Sequence, residues 1–140
     1  MPRVSIILTT LNGARYLRES VDSCLGQTER DLELLVVDGG STDGTLMILD
    51  TYADPRLRVI HQVGNTGKLP GAINLGLAQA KGRYLTWMQD DSLYEPTAIA
   101  RMAEVLDHHA DVGHVYCDYW VIDADGGVLR REDTIDPEAI

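Results

Sequence analysis

Four apolar runs, rich in β-branched residues and bounded by turn-forming residues, divide the sequence. These runs predict β-strands at residues 4–8, 32–37, 58–61 and 84–87, with a fifth expected at 113–119. The runs SIIL and LELLVVD are apolar almost without alternation, which is typical of strands covered on both faces. The pattern therefore favours a parallel sheet.

Amphipathic patterns with helical spacing lie between these strands. They predict helices at residues 14–25, 45–52, 71–80 and 96–108. Regular alternation of strands and helices predicts an α/β fold with a doubly wound, mainly parallel sheet that binds ligands at the carboxyl ends of its strands. After Tyr119 a turn at Asp125-Gly126-Gly127 separates short apolar pieces. We therefore expect a short hairpin and then a polar tail.

The composition of the sequence limits the classes of protein to which the chain can belong. The 140 residues suffice for one ordinary domain, and 44% of them are hydrophobic. A formal net charge of −10 makes unspecific binding to nucleic acid or to an anionic membrane surface unfavourable. No apolar run is long enough to span a membrane. Cys24 and Cys117 form neither a C-x-x-C pair nor a metal cluster, and we expect both to be buried thiols of a reduced, cytoplasmic protein.

Acidic residues follow two of the predicted strands. Asp90 and Asp91 come directly after the fourth strand, and adjacent carboxylates are costly unless a cation neutralises them. A hard divalent cation with oxygen ligands would do so, and it would let an acidic protein hold an anionic diphosphate. The alternative is that one of the two carboxylates caps the helix that begins near Pro96.

The second strand ends in Asp38-Gly39-Gly40-Ser41-Thr42-Asp43. Its glycines permit close approach of a ligand to the backbone, and its polar residues are also a good start for a helix. A strand-turn-helix explains most of this run, but Asp38 at the end of an apolar strand needs a donor, which a nucleoside could supply. Lys68, in a glycine-bearing loop before a helix, could bind phosphate or remain solvated.

For the histidines and the aromatic residues near the fifth predicted strand, the sequence favours structural roles over functional ones. The four histidines show no metal-ligand spacing. Tyr116, Tyr119 and Trp120 form an aromatic group near the fifth predicted strand, where packing is the default reading and stacking on a sugar or an acceptor the alternative.

Taken in order, the strand-end motifs resemble those of inverting family 2 glycosyltransferases, which have the GT-A fold, a Rossmann-like nucleotide-sugar-binding fold. The resemblance covers residues 4 to about 130 and is carried by VSIILTTLN (4–12), QT (27–28), VVDGGSTDGT (36–45), LPGAINLGL (69–77), GRYL (82–85), QDDS (89–92) and DVGHVY (111–116).

The resemblance implies a metal-dependent transfer of a sugar from a nucleotide-diphosphate sugar to a carbohydrate or lipid-linked acceptor. By this resemblance Thr9 and Leu11 line the base pocket and Asp38 lies against the nucleoside. Gly39 and Lys68 complete the expected donor site. Asp90 would lie near the ribose, and Asp91 would bind Mg²⁺ or Mn²⁺ at the DxD-like motif.

This sequence departs from the family pattern at three of these positions. Position 39 is Gly where many members have a second Asp that reads uracil, position 11 is Leu where an aromatic residue often stacks on the base, and position 89 is Gln in the metal motif. The acceptor-binding half and its general base follow, in the family, the segment where this chain ends. We therefore expect residues 1–125 to form the nucleotide-sugar-binding core and residues 126–140 the hairpin end and tail, with Asp118 and Asp123 as weak candidates for the base.

Other classes of protein fit less well. A truncated or non-catalytic nucleotide-sugar-binding module shares every donor-site feature. A dinucleotide-dependent oxidoreductase is disfavoured because the first strand is not followed by G-x-G-x-x-G. A sugar-phosphate nucleotidyltransferase would want a loop richer in glycine and arginine, and a receiver domain would want an acidic pair after the first strand.

Overall fold

The computed structural model describes residues 1–65 and 68–134. Its strands and helices alternate as the sequence predicts, so the α/β fold is confirmed. The strands are β1 (Val4–Thr10), β2 (Leu32–Asp38), β3 (Leu57–His61), β4 (Tyr84–Gln89), β5 (Tyr119–Ile122) and β6 (Val128–Glu132), and the helices are α1 (Leu17–Leu25), α2 (Thr45–Leu49), α3 (Lys68–Gln79) and α4 (Ala98–His108).

Strands β1 to β4 form a parallel sheet in the order β3-β2-β1-β4. Residue Thr10 at the end of β1 pairs with Asp38 of β2, and Thr9 pairs with Gln89 of β4. Because this register aligns the carboxyl ends of three strands, the loops after β1, β2 and β4 start from one edge of the sheet. That edge is where a doubly wound fold binds its ligands.

The central strands carry the core. Ile6, Ile7 and Leu8 of β1 are fully buried, as are Leu34 to Val37 of β2. Burial of each such side chain stabilises the fold by about 1.5–3 kcal/mol relative to exposure. Helix α3 packs closely on this layer, because a Cβ on Gly76 would lie only 2.6 Å from Cγ2 of Ile7.

The chain divides into two compact units, one of residues 1–100 and one that comprises the described residues from 101 onward. Within it, β5 and β6 pair antiparallel, which confirms the hairpin. The strand predicted at 113–119 is wrong over residues 113–118, which pair with no strand of the described residues and are largely exposed. The division into a core of residues 1–125 and a hairpin end and polar tail of residues 126–140 stays a prediction, and residues 135–140 lie outside the described residues.

The two cysteines differ in environment. Cys24 is buried and its Sγ lies 3.2 Å from Sδ of Met88, and burial raises the pKa of its thiol to about 12. Cys117 is exposed, so its predicted burial is wrong. It lies in the exposed segment between α4 and β5. Over the described parts of the chain, no helix is long and apolar enough to cross a membrane.

Candidate functional site

The loops after β1 and β2 are fastened to each other by side chains. The backbone N–H of Asn12 donates to Oγ of Ser41 at 2.8 Å, and Oδ1 of Asn12 accepts from the N–H of Thr42 at 2.8 Å. Next to them, the N–H of Ala14 donates to Oδ2 of Asp43 at 3.2 Å. Asn12 has a φ of 54°, a left-handed conformation that asparagine tolerates better than most residues. This double clasp holds the two loops in one arrangement.

Asp38 lies beneath the second of these loops. Its side chain is only 2% exposed, and its carboxylate accepts hydrogen bonds from the N–H groups of Gly40 at 3.1 Å and Ser41 at 3.2 Å. Nδ1 of His61, the register partner of Asp38 on β3, lies 3.7 Å from Oδ2. The hydrogen-bond donors that Asp38 needs therefore come from its own loop, and the carboxylate shapes the loop that carries Gly39.

An open cleft of about 360 Å³ lies at this edge of the sheet. Residues from the ends of β1 and β4, from the segments after β2 and β3 and from the start of α3 surround it. Its lining residues are Thr9, Thr10, Leu11, Gly39, Gln62, Asn65, Lys68, Leu69, Ala72, Gln89 and Asp90.

The cleft brings together most of the predicted donor-site residues. Thr9, Leu11, Gly39, Lys68 and Asp90 line it, as strand-end reasoning expects. The side chain of Asp38 is buried under the loop behind Gly39, and Asp91 is exposed at the next position after Asp90.

Asp90 is the carboxylate of this cleft. Its Oδ2 accepts a hydrogen bond from Oγ1 of Thr10 at 2.6 Å. Partial burial raises the pKa of the Asp90 carboxyl, the Thr10 hydrogen bond lowers it, and the negative charge of Asp91 raises it further. The carboxylate also lies directly on Gly13, where a Cβ would come within 1.9 Å of Oδ2. Asp90 is thus held by the Thr10 hydroxyl and by the backbone N–H of Leu11, and it has room to lie there because position 13 carries no side chain.

The loop after β4 is braced from helix α1. Oγ of Ser20 lies 2.7 Å from the carbonyl oxygen of Asp90 and 2.8 Å from that of Ser92. Further along, the fully buried Gln27 donates from Nε2 to the carbonyl of Glu95 and accepts from the N–H of Ile99 on Oε1. The Gln27 motif of the sequence therefore has a structural role, which is to fix the segment that carries Asp90 and Asp91.

Asp91 is the residue that could hold a metal. Its side chain is exposed, and Oγ of Ser92 lies 3.4 Å from its Oδ1. In the ranges 1–65 and 68–134 no group of three acidic, histidine or cysteine side chains is arranged for a metal ion. This donor set suits Mg²⁺ or Mn²⁺ held by one or two carboxylates together with substrate phosphates, and it does not suit an all-protein metal site.

Gln62 and Asn65 are polar residues of the cleft that were not among the predicted site residues. Nε2 of Gln62 donates to the carbonyl of Lys68 at 3.1 Å and so ties the start of α3 to the end of β3. Asn65 follows Gly64 in a tight turn in which both residues have left-handed φ angles, 49° and 62° respectively. Only the Gly-Asn pair signalled this turn in the sequence, and Thr66 and Gly67 of the same loop lie outside the described residues.

The two weak candidates for a general base have structural partners within the hairpin unit. Asp118 pairs with Arg131 and accepts from the N–H of Thr134, and the hydrogen bond from Arg131 is the main reason that the pKa of Asp118 is lowered. Oδ1 of Asp123 accepts from the N–H groups of Asp125 and Gly127 and so closes the hairpin turn.

An α/β sheet whose strand ends surround a cleft, with a pair of carboxylates after β4, is the architecture of a ligand-binding or catalytic α/β domain. The sequence model of the family described as "Glycosyl transferase family 2" matches residues 5–135. The chain therefore belongs to this family of glycosyltransferases.

Individual relatives agree with this assignment. An "Uncharacterized glycosyltransferase" of Rickettsia typhi is 39% identical over 124 residues, which are 87% of this chain and 38% of that protein. A "PGL/p-HBAD biosynthesis glycosyltransferase" of Mycobacterium bovis is 42% identical over 121 residues, which are 84% of this chain and 46% of that protein. The chain thus spans less than half the length of these relatives.

Solved structures of glycosyltransferases have the same fold. The chain of Staphylococcus aureus TarS 1-349 in complex with UDP-GlcNAc superposes with a TM-score of 0.70 at 30% identity, over 79% of this chain and 32% of that one. The mannosyltransferase PcManGT from Pyrobaculum calidifontis, in complex with GDP-Man and Mn²⁺, superposes with a TM-score of 0.65 at 31% identity, over 79% of this chain and 33% of that one. The predicted GT-A fold is thereby confirmed.

Proposed function

We propose that this chain is the donor-binding part of an inverting, metal-dependent glycosyltransferase that acts on a nucleotide-diphosphate sugar. The observation that carries the proposal is the cleft itself, where Leu11, Gly39, Lys68 and Asp90 meet at the carboxyl ends of parallel strands. The complexes of TarS with UDP-GlcNAc and of PcManGT with GDP-Man support a donor of this chemical class.

The lining of the cleft suggests how the donor lies. Leu11 offers an apolar face to the base, and Gly39 leaves the backbone open to close approach. Asp90, held by Thr10, is suited to accept hydrogen bonds from ribose hydroxyls. Thr9 packs beneath the base pocket, and Asp38 supports it by fixing the Gly39 loop. Lys68 supplies the positive charge for a phosphate at the start of α3.

Asp91 would bind the divalent cation, Mg²⁺ or Mn²⁺, together with the diphosphate of the donor. Such an ion stabilises the negative charge that develops on the leaving diphosphate. The protein's part is to present an exposed carboxylate next to Asp90, on a segment braced by Ser20 and Gln27. The Mn²⁺ in the PcManGT complex supports this choice of ion.

The reaction would be an in-line displacement. The acceptor hydroxyl forms a bond to the anomeric carbon while the bond from that carbon to the diphosphate oxygen breaks, and the hydroxyl proton passes to a base. We place the donor site in residues 1–125 and the hairpin end in residues 126–140. This chain spans only 38–46% of the length of the relatives. In this proposal the general base and the site for a carbohydrate or lipid-linked acceptor correspond to the part of the relatives that the match does not cover.

One observation favours a second candidate, a nucleotide-sugar-binding module without transferase activity of its own. Asp118 is engaged by Arg131, and Asp123 by its own turn, so neither presents an unengaged carboxylate to an acceptor. Both candidates bind the donor with a metal. Only the first transfers or hydrolyses the sugar.

Calorimetric titration with UDP, GDP and dTDP, each with and without Mn²⁺, tests the donor site. We expect one of these nucleotides to bind more tightly with Mn²⁺, and this gain to disappear in Asp91→Ala. The matched control is Asp50→Ala, which removes an exposed carboxylate at the end of α2 and leaves the gain intact. Absent binding, or binding indifferent to both metal and Asp91, contradicts the proposal.

The cytoplasmic location stays a prediction from cysteine usage. Its support is that Cys24 and Cys117 are both free thiols.

A further inference from the structure

The cleft has two chemically distinct ends. Around Asp90 the lining is charged, whereas the atoms nearest to Gly39 belong to the Leu11 side chain and to the amide of Asn65. Neutral amides and an apolar face suit a nucleobase, whose flat surface stacks and whose polar edge needs both donors and acceptors. The uncharged end is therefore where base identity would be read.

Asn65 stands directly across from Gly39. A Cβ on Gly39 would lie 3.2 Å from Oδ1 of Asn65, and 3.5 Å from Cβ and Cδ1 of Leu11. The side chain of Asn65 reaches this place because Gly64 and Asn65 both adopt left-handed backbone conformations. Gly39 and Asn65 are thus a matched pair, in which the missing side chain of one makes room for the amide of the other.

We propose that Asn65 reads the hydrogen-bonding edge of the donor's base and that Gly39 is required for it to do so. This inference rests on the proposed function and assigns specificity within the same cleft. An amide carries one acceptor oxygen and two N–H donors, so by rotation it pairs with the N3–H and a carbonyl of uracil or with the N3 and the amino group of cytosine. A carboxylate accepts only, so an oxygen opposite N3 accepts from the N3–H of uracil but opposes the lone pair on N3 of cytosine.

The test compares calorimetric Kd values for UDP and CDP, in the presence of Mn²⁺, among wild type, Asn65→Asp and Asn65→Gly. Glycine keeps the left-handed turn without strain and removes the amide, and aspartate tolerates the same conformation. We expect Asn65→Gly to weaken both nucleotides by about 3- to 10-fold, the usual worth of a neutral hydrogen bond. Asn65→Asp should raise the ratio of the CDP Kd to the UDP Kd by about fivefold or more.

Asn74→Asp is the control, because it makes the same chemical change at an exposed position of α3 that does not line the cleft. The ratio of the two Kd values should equal that of wild type in this variant.

A second measurement tests the pairing with Gly39. Gly39→Ala should weaken UDP binding in the wild-type background by pressing on the amide, and it should have a smaller effect in the Asn65→Gly background. Additive effects of the two substitutions would overturn the role assigned to Gly39.

The outcomes separate the two proposals. If the wild-type protein binds no nucleoside diphosphate, the proposed function fails and the inference falls with it. If the wild type binds but Asn65→Gly keeps wild-type affinity, or Asn65→Asp keeps the wild-type ratio, only the assignment of base reading to Asn65 is overturned.

Discussion

The carboxylate of Asp90 rests on the bare backbone of Gly13, where a Cβ would come within 1.9 Å of Oδ2 and 2.6 Å of Cγ. The same Cβ would lie 2.6 Å from Oγ1 of Thr10, the hydroxyl that holds the carboxylate. A glycine in the loop after β1 thereby fixes the position of an acidic residue after β4, far away in sequence.

Replacement of Gly13 by alanine should therefore displace Asp90. Because a new methyl group in a tightly packed place costs about 1–3 kcal/mol, we expect the free energy of unfolding in urea to fall by that amount. The affinity for a nucleoside diphosphate should fall with it, by about tenfold if one charge-assisted hydrogen bond to the ligand is lost. Gly44→Ala is the control, since its Cβ would meet only Cβ of Ala14 at 3.8 Å. Equal behaviour of the two variants would contradict this role of Gly13.

The raised pKa of the Asp90 carboxyl gives a pH dependence with a definite sign. A carboxyl with a higher pKa in the folded than in the unfolded chain binds its proton more tightly when folded, and its stabilising contribution is lost as pH rises through the folded pKa. Asp90→Asn removes this loss. We expect the free energy of unfolding of Asp90→Asn, relative to wild type, to increase between about pH 3.9, the ordinary value for Asp, and pH 7. A constant difference across that range would show that this carboxyl is not perturbed.

The clasp formed by Asn12 should matter for both stability and binding. Asn12→Ala removes the acceptor of the Thr42 N–H and places alanine at a φ of 54°, so we expect a loss of about 1–3 kcal/mol in the free energy of unfolding. Asn12→Asp keeps an acceptor and tolerates the backbone conformation, and Asn12→Gly keeps only the backbone. From highest to lowest free energy of unfolding in urea, the expected order is wild type, Asn12→Asp, Asn12→Gly and Asn12→Ala. Alanine as stable as wild type would exclude a structural role for the clasp.

Substitutions of Gln27 test whether its hydrogen bonds hold in place the segment that follows β4 and carries Asp90 and Asp91. Gln27→Leu fills a similar volume but leaves the Ile99 N–H and the Glu95 carbonyl without their buried side-chain partner. Each unsatisfied buried group costs about 1–3 kcal/mol, so we expect the two together to lower the free energy of unfolding by about 2–6 kcal/mol. Gln27→Glu, which keeps the acceptor for Ile99, should lose less near pH 4 than near pH 7, where its carboxylate is charged and buried. Thermal unfolding at both pH values measures the difference.

Most of the fold and much of the site follow from the sequence, because they depend on local pattern and on one topological rule. Continuous apolarity in β1 and β2 predicted a parallel sheet, and the parallel register then placed Thr9, Leu11, Gly39 and Asp90 around one cleft. The strand predicted at 113–119 was wrong over residues 113–118, because a strand needs a partner and a single segment of sequence does not show which partner it has.

The hydrogen-bond partners of Asp38 and the position of the Asn65 side chain could not be predicted from the sequence. Both depend on side-chain and backbone conformations that the hydrophobic pattern does not specify. Asp38 satisfies its carboxylate with the N–H groups of Gly40 and Ser41, a local choice that competes with a ligand for the same oxygens. Asn65 enters the cleft only because two successive left-handed residues redirect the chain. Its approach to Gly39 is a tertiary contact with no periodic signal.

A crystal structure of the protein with UDP and Mn²⁺ tests the donor-site assignment most directly, with anomalous scattering used to locate the metal. We predict the base between Leu11 and Asn65, the ribose beside Asp90, and the Mn²⁺ ion roughly 2.1 Å from a carboxylate oxygen of Asp91 and bound to the diphosphate. A nucleotide bound outside the cleft, or a metal ion that Asp91 does not contact, would contradict it.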